Sequence, residues 1–167
     1  MAVASRKSGA ITNRDATPPV INNARLTGAR PIVAVGTLET VSGDDIASVY
    51  RMIQVPSNAR MHDLLLFSDD IGTTTIADIG LYRTTADGGA VVDADFFGSA
   101  VSLKDGALNG VDVLHESAVY GLEDIEKTIW EGLGLSADPM IDYDIALTLT
   151  AAADAAATVQ LKAMWVV

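Results

Sequence analysis

From residue 31 onward, apolar and polar positions alternate in short runs separated by turn-forming residues. Residues 31–41 are apolar and β-branched and stop at Ser42-Gly43-Asp44-Asp45; residues 48–55 follow and stop at Pro56-Ser57-Asn58. In residues 59–67, Met61, Leu65 and Phe67 share one side, and Leu64 and Leu66 the other. Residues 73–83 place Thr75, Ala77, Ile79 and Leu81 on one face, after which Asp87-Gly88-Gly89 supplies the positive-φ positions of a tight turn. The clearest period of two comes last. Ile141, Tyr143, Ile145, Leu147 and Leu149 alternate with Asp142, Asp144, Ala146, Thr148 and Thr150, and Val159, Leu161, Ala163, Trp165 and Val167 alternate with Gln160, Lys162, Met164 and Val166. This pattern predicts two strands, and the short alanine-rich segment 151–157 between them predicts a hairpin connection. Short strands at regular spacing with turn signals between them predict an all-β sandwich or barrel.

One stretch departs from the strand rhythm. Leu122, Ile125 and Ile129 recur at helical spacing, acids lie near the start, and Gly132 and Gly134 follow, with Pro139 beyond. The spacing predicts one short helix over residues 122–131, covering an end of the β core, with Glu123 and Lys127 at i,i+4. Residues 1–30 have no regular period. Pro18-Pro19, Asn22-Asn23, Gly9 and Gly28 predict an extended N-terminal arm ahead of a domain over residues 31–167.

Charge sharpens that division. Residues 1–30 carry Arg6, Lys7, Arg14, Arg25 and Arg30 against Asp15 alone, a net +4, whereas residues 31–167 carry six basic residues against 21 acids, a net −15. A basic arm on an acidic body predicts that the arm reaches a partner. The acidic body argues against nucleic acid as that partner, because affinity for phosphate rests on Lys and Arg displacing counterions. No apolar run approaches the roughly 18–20 residues of a membrane helix, and the first ten residues have no apolar signal core, so neither membrane nor secretion is expected. The 49% apolar fraction owes much to 25 alanines, and aromatics are only 5%. With no cysteine, disulfides, thiol catalysis and Cys-based zinc sites are excluded.

Candidate chemistry is sparse. His62 and His115 are the only histidines and stand far apart, so satisfied structural histidines are the stronger reading. Asp87, Asp93 and Asp95 bracket a glycine turn and could ring a calcium ion, but they lack EF-hand spacing, and turn aspartates are common. Asp69-Asp70 and the Asp142/Asp144 pair carry carboxylates that a chain this acidic produces by chance. Ser99 is not in a nucleophile-elbow motif, and no phosphate-binding glycine loop is present. Trp165 shares a face with Leu161 and reads as core; Trp130 on the short helix reads equally as a core lid or an interface anchor. No cofactor is expected.

Four runs carry a resemblance. They are residues 53–61 (IQVPSNARM), residues 69–74 (DDIGTT) leading into 78–82 (DIGLY), residues 93–100 (DADFFGSA), and residues 129–139 (IWEGLGLSADP) followed by Tyr143-Asp144. Together they span most of residues 51–167, and the chain resembles the capsid cement or decoration proteins of tailed bacteriophages. The resemblance implies a jelly-roll β-sandwich made in the host bacterial cytoplasm that ends on the outer surface of the virion. There it would act as a homo-oligomer, dimer or trimer, clamping neighbouring major capsid protein subunits without catalysis. Arg6, Lys7, Arg14, Arg25 and Arg30 of the arm would then be the capsid contacts, with Trp130 as an anchor. Two other classes compete: a jelly-roll head or tail appendage that binds a host glycan, which would need an exposed aromatic cluster, and a glycosidase or cupin-like metal enzyme, which would need a histidine cluster.

Overall fold

In a computed structural model of the chain, the residues described are 8–21, 30–104 and 106–167, with backbone only at 9, 10 and 14. The chain divides into two units, Met1–Arg30 and Pro31–Val167. In the first, the described residues hold a short helix, α1 (Gly9–Arg14), where the sequence predicted an extended arm. Ser8 explains it: its side chain accepts from the Ile11 N–H at 3.4 Å and caps the first turn.

The second unit holds eight strands: β1 (Ile32–Glu39), β2 (Val49–Pro56), β3 (Arg60–Ser68), β4 (Ile76–Arg83), β5 (Val91–Ser102), β6 (Leu108–Asp112), β7 (Asp142–Ala151) and β8 (Thr158–Val166). They form two four-stranded antiparallel sheets, ordered β1-β8-β3-β6 and β2-β7-β4-β5. Every consecutive pair except β4–β5 changes sheet, which gives the interleaved Greek keys of a jelly roll. The expected all-β jelly-roll sandwich is therefore the observed fold.

The predicted hairpin at the end of the chain is not formed. β7 lies between β2 and β4, β8 lies between β1 and β3, and the connecting segment crosses from one sheet to the other. Both strands alternate cleanly because each is central in its sheet, with one face on the core. That pattern fixes which side chains turn inward and leaves the choice of neighbour open.

The single helix expected over 122–131 is also broken up. A 3₁₀ turn spans Leu122–Asp124, and a four-residue helix, α2 (Ile129–Gly132), follows. Thr128 is the cause: its hydroxyl accepts from the Glu131 N–H, while the Glu131 carboxylate accepts from the Thr128 N–H at 2.8 Å. This capping box starts a helix at residue 129 and stops one from running through it. Leu122 is consequently exposed, and Lys127 pairs with Asp124 at 2.6 Å in place of Glu123.

The core lies between the sheets. Ala77, Ile79 and Leu81 of β4, Tyr143, Ile145, Leu147 and Leu149 of β7, and Val159, Leu161, Ala163 and Trp165 of β8 are all buried, as their alternation predicted. In β3 the inward residues are Leu64 and Leu66; a register shift between Met61 and Asp63 brings Met61 inward as well. β5 buries the consecutive residues Phe96 and Phe97, which pack with Tyr120 at ring-centroid distances of 4.9 to 6.0 Å. Gly132 of α2 closes this aromatic group, since a Cβ there would stand 2.8 Å from Tyr120 and 3.0 Å from Phe96. Gly36 lets β1 approach β2 so closely that a Cβ would lie 2.3 Å from the Met52 carbonyl oxygen.

Candidate interaction surface

Most of the carboxylates that sequence reasoning weighed for chemistry, and His115, are bonded within the fold. Asp144 pairs with Arg51 at 2.7 Å, and Asp142 accepts from Gln54 at 2.7 Å. Asp69 accepts from the Thr158 N–H and Asp70 from the Gly72 N–H. His115 Nδ1 lies 2.8 Å from the Tyr120 carbonyl, and its ring stacks on Tyr120. Asp87 takes the Thr84 hydroxyl in the β4–β5 turn, while Asp93 Oδ1 accepts from the Asp95 N–H at 3.3 Å. Burial, with the neighbouring Asp95, holds the Asp93 carboxyl above its ordinary value. Among the described residues, no group of three or more His, Asp or Glu side chains is placed to hold a metal ion, so Asp87, Asp93 and Asp95 are not assembled as a calcium site.

Two shallow depressions mark the surface. One, of about 280 Å³, is lined by Phe67, Ser68, Asp69, Leu108, Thr158 and Gln160 at one end of the first sheet. The other, of about 230 Å³, is lined by Pro56, Ser57, Asn58, Asp138, Met140, Ile141 and Asp142. Both are open and lined largely by polar side chains, unlike the concave, mostly apolar wall of a small-molecule pocket.

The second depression adjoins α2. The Ile129 and Trp130 N–H groups donate to the carbonyls of Ala59 and Ser57 at 2.9 and 3.1 Å, which seats α2 on the β2–β3 turn. Asp138 ties the following loop to the same turn by accepting from the Ser57 hydroxyl and the Met140 N–H. Trp130 is half-buried. Leu135 and Met140, later in the same segment, are exposed, Met140 at 86%. The second apolar region is β1, with Ile32, Val33 and Val35 exposed; Val41, Ile46 and Val49, later in the chain, are exposed as well.

Of the basic residues assigned to the arm, Arg30 is described and exposed. Arg14 ends α1, with its side chain outside the described residues; Arg6, Lys7 and Arg25 also lie outside them. No helix among the described residues is long and apolar enough to cross a membrane.

No family model and no curated protein matches the chain. Solved structures do share its fold. A chain of the cyanophage Pam1 capsid asymmetric unit is 13% identical with a TM-score of 0.52, the match covering 100% of this chain and 94% of that one. A chain of the capsid of Ralstonia phage GP4 is 13% identical with a TM-score of 0.54, covering 81% of this chain and 84% of that one. The class that the fold defines is an eight-stranded jelly roll whose likeness runs to chains found in phage capsids.

Proposed function

We propose that this chain is a non-enzymatic structural protein of a bacteriophage head, a cement or decoration protein on the outer surface of the capsid that clamps neighbouring major capsid subunits. The observation that carries the reading is the likeness of this chain, matched over its full length, to a chain of a phage capsid asymmetric unit. The interior of the sandwich supports it. The space between the sheets is filled by side chains, and the carboxylates that could have done chemistry are tied into turns and strand pairs. A body of net −15 suits the outside of a shell, away from packaged nucleic acid.

The basic arm is the tether in this account, with Arg6, Lys7, Arg14, Arg25 and Arg30 lying against acidic protein surface and Trp130 as an apolar anchor. A glycan-binding appendage would need exposed stacking rings. Among the described residues the exposed large apolar side chains are aliphatic or methionine. The test is occupancy of capsids by the full-length chain and by a variant lacking residues 1–28, measured by co-sedimentation. The truncated chain is expected to lose most of its occupancy while keeping the β-sheet circular dichroism of the sandwich. Undiminished occupancy removes the arm from the mechanism.

A further inference from the structure

We infer that β1 is a strand-pairing edge for a second copy of this chain, joined antiparallel across a two-fold axis. Among the described residues, two open sheets leave four edge strands: β1 and β6 in one sheet, β2 and β5 in the other. An edge strand presents unpaired N–H and C=O groups, and proteins blunt such edges with bulges, charges, proline or short length. β2 slips in register between Arg51 and Ile53 and ends at Pro56. β5 shifts three times against β4 and carries Asp93 and Asp95. β6 is five residues long, ends in Asp112, and meets a register shift at Leu66 and Phe67 of β3. β1 is the least protected of the four, with Glu39 at its end as its one charge. Its eight residues pair with β8 without a shift, and residues 32–38 contain no charge and no proline.

The side chains fit that use. Gly36 is buried and Ala34 and Leu38 are half-buried, so the alternation puts Val33, Val35 and Thr37 on the outer face of the sheet. Val33 and Val35 are 52% and 62% exposed. A two-fold axis perpendicular to the sheet keeps each face continuous and sets residues of the same face opposite each other. Centred on the uncharged stretch, it places Val35 opposite Val35 of the other copy and Val33 opposite Thr37, an apolar and β-branched set that favours cross-strand pairing.

Charge selects the occupant and its direction. Two bodies of net −15 repel, and β1 is where the acid is missing until Glu39. In sequence the uncharged stretch is bracketed by Arg30 on one side and Glu39 on the other. Antiparallel pairing of two copies brings the basic end of one to the acidic end of the other, whereas parallel pairing would stack like charges. The joined sheets would run to eight strands.

This pairing does not rest on the capsid reading, and it is tested without capsids. Sedimentation equilibrium of the full-length chain is expected to give the mass of two chains. Val35→Lys, which puts two lysines face to face on the axis, is expected to give the mass of one chain with unchanged far-UV circular dichroism. Val91→Lys, at a comparably exposed valine on β5, is expected to stay at two chains. Amide exchange over residues 32–38 should be at least about tenfold slower in the dimer than in Val35→Lys. A wild-type mass of one or three chains overturns the proposal, and so does a Val35→Lys variant that remains dimeric.

Discussion

Arg51 joins three strands with one side chain. Nη1 donates to the Arg83 carbonyl and to Asp144, both at 2.7 Å, and Nη2 donates to the Gly89 carbonyl at 2.6 Å. Its guanidinium also lies 5.3 Å from the centre of the Tyr82 ring. β2, β7 and the β4–β5 turn are thereby held through a planar fork that a lysine cannot reproduce. The ion pair is 29% and 18% exposed, so solvent screens part of it. Arg51→Ala is expected to cost about 2 kcal/mol, with Arg51→Lys recovering less than half, as read by urea unfolding. Asp154 does comparable work between loops. Its carboxylate accepts from the N–H groups of Thr73 and Thr74 at 2.9 Å each and from the Thr74 hydroxyl at 2.8 Å. These bonds, the Thr74 hydroxyl first, hold it below its ordinary value of 3.8. A carboxylate that ionises more readily folded than unfolded stabilises the fold above its unfolded pKa and loses that contribution as pH falls through the folded value. Asp154→Asn should therefore show a flatter loss of stability below about pH 4 than the wild type, measured as melting temperature against pH. An unchanged acid limb would show that the loop contact carries no linkage. In the sequence Asp154 reads only as a break in an alanine tract, because its partners lie some eighty residues earlier and no local pattern connects them.

At the scale of elements, capping and register decide what the apolar period leaves open. The period over 122–131 was helical, yet the helix begins at residue 129, where Thr128 and Glu131 satisfy each other's backbone donors. Hydrogen bonds from Thr128 also hold the Glu131 carboxyl below its ordinary value. Thr128→Ala is expected to cost about 1 kcal/mol and to loosen α2 from the β2–β3 turn, seen as faster amide exchange at Ile129 and Trp130. Strands β4, β7 and β8 were legible because each buries one face along its whole length. β5 and β6 were not, since three register shifts and the adjacent buried pair Phe96 and Phe97 erase the alternation in β5, and β6 is only five residues long. The mistaken hairpin has the same root. A period of two states which face is buried, while the jump from β7 to β8 is set by which neighbours each strand finds across the sandwich.

For the molecule as a whole, charge and topology are written into the chain differently. The split between basic and acidic segments is visible in composition alone. The jelly roll follows from many short amphipathic strands, although the sequence did not specify their order. A surface suited to partners was harder to read. Trp130 announced itself as one of two tryptophans, whereas the least protected edge, β1, became visible only once β1 was known to be an edge. The measurement that bears most directly on the account is cryo-electron microscopy of phage heads incubated with the full-length chain. The account predicts saturable density on the outer surface at symmetry-related positions, with the sandwich resolved outside the shell and each copy touching more than one major capsid subunit. Heads that remain bare at saturating concentration, or density confined to the interior or the tail, would contradict it.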